Sequence, residues 1–134
     1  MTVGLSLAAR NSQMDDIRQR IDSGGAGGKI KICGGTRPNP TGSTTPIPLA
    51  IMTFAWPSAP AASAGVLTFN SITSETNAPA AGTATWARIE SSTGTFVADV
   101  SVSTSGSDIN LSSTTIAQGG TVSCTSATLT NGSP

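Results

Sequence analysis

The residues that could do acid–base chemistry in this chain are its carboxylates, because the sequence contains no histidine to act as a base or a metal ligand. Two carboxylates about 5 to 10 Å apart can hydrolyse a glycosidic bond. The second part of the chain offers four acids, Glu75, Glu90, Asp99 and Asp108. They are scattered along the sequence, and acids in such positions are typical of turns and solvated strand edges. We therefore expect no catalytic residue and no enzymatic activity.

The segment 23–30, SGGAGGKI, is a weak match to a phosphate-binding loop. Ser23 stands where that loop needs its first glycine, and Ile30 stands where a hydroxyl must reach magnesium. Two cysteines without histidine are too few soft ligands for zinc, and the neighbours Asp15 and Asp16 point to different sides of a helix. The sequence predicts no cofactor, no metal site and no small-molecule substrate.

Cys33 and Cys124 fall in the first and last predicted strands. They can pair if those strands are neighbours, but two buried or half-buried free thiols are the favoured interpretation. Trp56 and Trp86 could stack on a sugar or act at a protein interface. A core short of large side chains also needs its aromatics, so we assign Trp86 to the core. Trp56 directly precedes Pro57 at a strand end and is left open.

The charges are few, at 10% of 134 residues, and they are unevenly placed although they sum to zero. Residues 1–40 hold six of the seven basic side chains, and the remainder holds four of the seven acids. This asymmetry is typical of solvated surface, and it can also attract copies of the chain to one another. It is too small to predict nucleic-acid binding. The apolar residues near the start are interrupted by Gly4, Ser6 and Arg10, so neither a signal peptide nor a membrane span is predicted.

One helix is predicted, over residues 5–22, with an apolar stripe of Leu7, Met14, Ile17 and Ile21. Glycines after Ser23 end it and supply a flexible tether. This divides the chain into a helical arm with its tether, residues 1–28, and a β domain, residues 29–134. The stripe can pack on its own β domain or on a neighbouring subunit, and the sequence does not decide between these.

The rest of the chain predicts strands joined by turns rich in Gly, Pro and Ser. In Lys29–Cys33 the two isoleucines share one face, and the apolar segment 49–56 is typical of a strand buried on both faces. The other predicted strands are 66–72, 83–90, 96–102, 109–116 and 121–129. We therefore predict a mainly β fold: an antiparallel β-sandwich or jelly-roll-like domain of about seven strands, preceded by one short N-terminal helix.

Five short segments follow one another along the chain in an order that is informative. They are the helix with Met14-x-x-Ile17, then IKICGGTRP at 30–38, GVLTFN at 65–70, GTATWAR at 82–88 and TSGSDINL at 104–111. From about residue 5 to the C-terminus this order resembles a family of small proteins encoded in the structural gene clusters of tailed bacteriophages and prophages. The resemblance implies a virion component, made in the host cytoplasm, with no catalytic residue to transfer.

We expect a capsid decoration or cement protein. Its expected partners are the major capsid protein and further copies of itself, and a homotrimer is one such assembly. A tail, neck or head-fibre component and a carbohydrate- or receptor-binding module are the alternatives. Neither nucleic acid nor a membrane is expected as a partner. The expected assembly interface comprises Leu7, Met14, Ile17, Arg18, Ile21, Arg37 and Trp56.

Overall fold

The structure is a computed structural model that describes residues 4–39, 42 and 46–131. Over these residues it consists of one helix and nine strands. The elements are α1 (Leu7–Asp22), β1 (Lys29–Cys33), β2 (Ala50–Thr53), β3 (Val66–Thr68), β4 (Gly82–Thr83), β5 (Trp86–Glu90), β6 (Phe96–Ser103), β7 (Ile109–Leu111), β8 (Thr115–Ile116) and β9 (Cys124–Thr130). The predicted mainly β, roughly sandwich-like fold with one N-terminal helix is confirmed. The turn-rich segment at 34–48, between β1 and β2, contains four prolines, and part of this proline-rich segment, at 40–41 and 43–45, lies outside the described residues.

Seven of the strands form one curled sheet, in the order β2-β1-β5-β6-β7-β9-β3. All its neighbours are antiparallel except β6 and β7, which run parallel. The connection between these two is shorter than the dozen or more residues that a parallel crossover ordinarily needs. Asp108 holds it in place, because its carboxylate accepts hydrogen bonds from the backbone N–H and the hydroxyl of Ser101, both at 3.1 Å.

Two of the predicted strands are each split by a bend. The predicted strand 83–90 becomes β4 and β5, and the predicted strand 109–116 becomes β7 and β8. The split-off parts, β4 and β8, leave the main sheet and pair with each other. At the bend, Ala84 N–H donates to Thr114 O and Thr85 N–H donates to Cys33 O. Side chains continue to alternate between the two faces through such a bend, so the sequence pattern does not reveal it.

The core lies inside the curl of the sheet. Ile30 and Ile32 of β1 are both fully buried, as the alternation predicts. In β2, by contrast, Ala50 and Met52 are buried while Ile51 and Thr53 are only half-buried, so this strand is buried on one face. The strand that is buried on both faces is β5, where all five residues are buried.

Helix α1 begins at Leu7 because Ser6 caps it: the Ser6 Oγ accepts a hydrogen bond from Ala9 N–H at 3.2 Å. Gly25, with φ +76°, provides the left-handed residue after its end. Met14 and Ile21 belong to the same hydrophobic cluster as the sheet. The helix therefore packs on its own β domain, which is the first of the two alternatives that the sequence left open. No helix among the described residues is long and apolar enough to cross a membrane.

Polar side chains of α1 hold the same position. Three of them accept hydrogen bonds from backbone N–H groups of the loop between β2 and β3: Asn11 from Gly65 at 2.8 Å, Asp15 from Ala62 at 2.8 Å, and Asp22 from Ser58 at 3.0 Å. These contacts satisfy loop donors that the sheet does not reach. The helix and this loop are thereby joined along the helix length.

The glycine segment after α1 is closely packed where the sequence predicts a flexible tether. A Cβ added to Gly27 would lie 2.1 Å from Phe54 O, and one added to Gly28 would lie 2.7 Å from Glu90 O. These two glycines let the backbone approach its neighbours closely, which no other residue allows.

Candidate functional site

Each of the seven carboxylates in the chain accepts a hydrogen bond or ion pair from another group of the protein. Asp15, Asp22, Glu75 and Asp108 accept from backbone N–H groups, and Asp16, Glu90 and Asp99 accept from Arg20, Lys31 and Arg88 respectively. Apart from the Asp16–Arg20 pair, which lies within α1, these bonds join one segment of the chain to another. The four acids that could have paired for glycoside hydrolysis therefore serve the fold, each with a partner of its own.

A charged cluster lies on the outer face of the sheet, opposite the core. Lys31, Arg88 and Asp99 stand side by side in the register of β1, β5 and β6. Arg88 Nε lies 2.8 Å from Asp99 Oδ1, and Arg88 Nη2 lies 3.0 Å from Asp99 Oδ2. Both residues are buried, with 4% and 8% of their surfaces exposed. The ion pair with Asp99 raises the pKa of Arg88, so the guanidinium stays charged.

Aromatic rings sandwich this arginine. The Arg88 guanidinium carbon lies 5.5 Å from the centroid of the Trp86 ring and 5.0 Å from that of Phe96. Both distances are within the range of cation–π attraction. Trp86 is buried, as the sequence predicts, but it lies on the outer face with Arg88 and is not part of the main hydrophobic cluster.

The segment after β1 covers the cluster. Trp86 Nε1–H donates to Gly34 O at 3.0 Å, and Gly42 N–H donates to Asp99 Oδ2 at 3.1 Å. Arg37, which the sequence placed in an assembly interface, donates from Nη1 to Asp99 O at 3.4 Å and is otherwise exposed. Asp99 and Trp86 therefore anchor this segment to the sheet.

The sequence contains a signal for this pair. The turn at Gly94 predicts a hairpin, and Arg88 and Asp99 lie at nearly equal distances on either side of it. Opposite charges across a predicted hairpin are expected to pair. Their burial was not predictable, because the covering segment comes from elsewhere in the chain.

The two cysteines are free, in agreement with the favoured interpretation. Cys33 is on β1 and Cys124 is on β9, and three strands separate these in the sheet. Burial raises the pKa of the Cys33 thiol to about 11, and it also raises the pKa of Cys124. Both sulfurs are therefore protonated and weakly reactive at neutral pH.

The residues predicted for an assembly interface fall into two groups. Met14 and Ile21 are buried in the chain's own core, and Ile17 packs partly against it. Arg18 lies 3.5 Å from Asp15 on the same helix. Leu7 and Trp56 are exposed, with 48% and 59% of their surfaces accessible. In this structure the first group is already covered, and Leu7 and Trp56, together with Arg37, remain available to a partner.

Trp56 is exposed but held in place. Its Nε1–H donates to Asp22 O at the end of α1 at 3.2 Å. The carboxylate of the same Asp22 accepts from Ser58 N–H, which fixes the chain just beyond the tryptophan. A large aromatic side chain with a fixed orientation loses little conformational entropy on binding, which is typical of interface anchors.

Two surface cavities offer space for a small ligand. One, of about 320 Å³, lies between residues 69–72 and 124–127. The other, of about 370 Å³, lies between the end of α1 and residues 95–96. Neither is lined by Trp56 or Trp86. Neither of these two cavities could therefore bind a sugar by stacking it on a tryptophan.

Over the described ranges, no three His, Cys, Asp or Glu side chains gather in a way that could hold a metal ion. Comparison with known proteins found no matching family model, no similar curated protein and no similar solved structure.

Proposed function

We propose that this chain is a non-enzymatic structural protein of a tailed-bacteriophage virion. In this proposal it binds the outside of the capsid as a decoration protein, at junctions between major capsid subunits. The observation that carries the proposal is Trp56, an exposed indole whose direction is fixed by its bond to Asp22 O. Such a residue is an effective anchor for a protein partner and has no evident role in the chain's own core.

The use of the carboxylates supports a structural role over a catalytic one. Catalytic acids and bases need a proton to gain or lose near neutral pH and access to a substrate. Here every carboxylate is occupied in holding backbone or a cation, as described above. The guanidinium of Arg88, which Asp99 binds, also lies against the rings of Trp86 and Phe96.

The resemblance of the ordered segments to small proteins from phage structural gene clusters supports the choice of partner. Decoration of a repetitive shell needs only modest affinity at each contact, because several linked contacts raise the overall affinity. The exposed Leu7 and Arg37 are the further contacts we assign to neighbouring subunits. A trimer placed on a capsid three-fold axis would present three copies of Trp56 at once.

A tail, neck or head-fibre component is the second candidate within the same class, since Trp56 would anchor those partners equally well. A carbohydrate-binding module that uses Trp56 is the candidate from another class. It is favoured only by the exposure of the ring.

The test is to locate the protein in purified particles, by counting copies with quantitative mass spectrometry and by cryo-EM. Decoration predicts about as many copies as the shell has junctions, spread over the whole capsid. Particles that lack the protein should break at a lower temperature than complete ones. A few copies confined to the tail or to one vertex would contradict decoration and support the second candidate. Absence from particles would contradict both.

A further inference from the structure

The cavity of about 320 Å³ is an opening between two chain segments that are joined at both of its ends. At one end Phe69 N–H donates to Ala127 O at 3.1 Å. At the other end the hydroxyls of Ser74 and Ser123 are 3.1 Å apart. Beyond Ser74 and Ser123 the two segments stay paired, since Glu75 pairs with Val122. Between these ends the segments separate and leave a space of defined length.

A β-bulge in β9 shapes one wall of this space. Against β7, Asn110 pairs with Ser126 and Leu111 pairs with Cys124, so that Thr125 is one residue too many. A bulge leaves its extra residue without a ladder partner and turns its side chain. The hydroxyls of this wall are held in place, since Thr125 Oγ1 donates to Asn110 O at 3.2 Å and Ser126 Oγ accepts from Asn110 Nδ2 at 3.0 Å.

The lining contains hydrogen-bonding groups and no charged side chain. The polar lining side chains are Asn70, Ser71, Thr125 and Ser126, and all four are exposed. Phe69 and Ala127 are mostly buried and add apolar surface. Uncharged donors and acceptors next to apolar surface match a neutral ligand that carries both hydroxyl groups and C–H surface.

We propose that this cavity binds one ring of a neutral sugar. Its volume is at the lower end of the range of about 300–1,000 Å³ that is typical of ligand pockets, which favours a single ring over a longer saccharide. An extended peptide is a poorer fit. A strand inserted between two others needs about 4.8 Å on each side, and the bonds at both ends of the opening would have to break.

This inference goes beyond the proposed function and is independent of it. Trp56 does not line the cavity, although the lining residue Asn70 donates to Pro57 O beside it, so a particle-bound protein could have or lack a sugar site and still bind the capsid through Trp56.

The experiment is a titration of the ¹⁵N-labelled protein with D-glucose, D-galactose, N-acetyl-D-glucosamine and L-rhamnose at millimolar concentrations, followed by NMR. At least one sugar should shift the amide signals of residues 70–72 and 124–126 in a saturable way. No saturable shift with any of the four sugars would overturn the proposal. Shifts confined to residues around Trp56 would overturn it as well, because they would place sugar binding on the exposed indole.

A filled cavity supplies the matched control. Ser71→Phe places a ring in the opening, and it should weaken binding at least about tenfold. Thr104→Phe adds the same ring at an exposed bend elsewhere and should leave the affinity unchanged. Both variants should keep the dispersed spectrum of the folded protein. Equal affinity in the Ser71→Phe variant and the unchanged protein would overturn the assignment of the site.

Discussion

Arg88 and Asp99 form two parallel hydrogen bonds, of 2.8 and 3.0 Å, across the β5–β6 hairpin on the outer face of the sheet. Both are buried, although ionised side chains rarely are. The desolvation cost is offset because the pair is bidentate and because Asp99 Oδ2 accepts a further bond from Gly42 N–H. The pair thus links the sheet to the segment that covers it.

Removal of one partner of this pair should destabilise the protein strongly. Arg88→Met leaves the Asp99 carboxylate buried without its cation, and such losses cost about 3–5 kcal/mol. Urea denaturation followed by circular dichroism would measure the free energy of unfolding. The double variant Arg88→Met with Asp99→Leu should be closer to the unchanged protein than Arg88→Met alone. A single variant within about 1 kcal/mol of the unchanged protein would contradict a coupled buried pair.

The carboxylate of Asp22 should matter more than that of Asp16, although both are on α1. Asp22→Ala leaves Ser58 N–H, in a fully buried residue, without its acceptor, which costs about 1–3 kcal/mol. Asp16 makes only an exposed pair with Arg20 within the helix, so Asp16→Ala should leave the unfolding temperature close to that of the unchanged protein. Thermal unfolding of the two variants measures this difference. Equal losses would show that α1 is not held by its contact with the loop.

Two glycines of the segment after α1 should respond differently to alanine. A Cβ at Gly27 would meet Phe54 O at 2.1 Å, so Gly27→Ala must displace the backbone that directly follows β2 or the glycine segment itself. Gly25→Ala meets nothing within 4 Å and bears only the strain of its positive φ, about 1 kcal/mol. Denaturation midpoints should rank the unchanged protein first, Gly25→Ala second and Gly27→Ala last. A flexible tether would instead tolerate both substitutions alike.

The stability of the protein should fall at alkaline pH because of Cys33. Burial raises the pKa of this thiol from 9.0 to about 11 on folding. Above about pH 9 the unfolded chain loses the proton that the folded chain keeps, so the contribution is complete below that pH and is lost as the pH approaches about 11. Unfolding of Cys33→Ala measured across this window should show a shallower decline. Parallel declines in the two proteins would contradict the assignment to Cys33.

Trp56→Ala should reduce binding to particles that lack the protein while leaving the fold intact, because the ring is exposed and makes one hydrogen bond within the chain. Ile47→Ala is the control, since it removes a side chain that is 87% exposed from the proline-rich segment. Co-sedimentation with the particles measures binding. The loss with Trp56→Ala should be at least about tenfold, as expected for an interface anchor. Equal losses in both variants would contradict a contact centred on Trp56.

The sequence by itself determined the local elements. Alternation gave β1 its bounds and placed Ile30 and Ile32 in the core, because the side-chain period of a strand depends only on its backbone. The apolar stripe and the glycines after Ser23 placed α1 to within two residues at its start. The sequence also limits the chemistry that its side chains can perform, since a chain without histidine lacks the commonest general base and metal ligand.

The tertiary structure alone decided what each face meets. The apolar stripe of α1 could pack on its own β domain or on a neighbouring subunit. The helix packs on its own domain because its side chains accept hydrogen bonds from N–H groups of loop residues that lie 36 to 54 positions away in the sequence. The bends that separate β4 from β5 and β7 from β8 arise from pairing between distant segments, to which a local pattern is insensitive. The burial of Arg88 and Asp99 likewise requires a covering segment from before β2. Local periodicity fixes which residues share a face, and only the long-range contacts of the folded chain fix what covers that face.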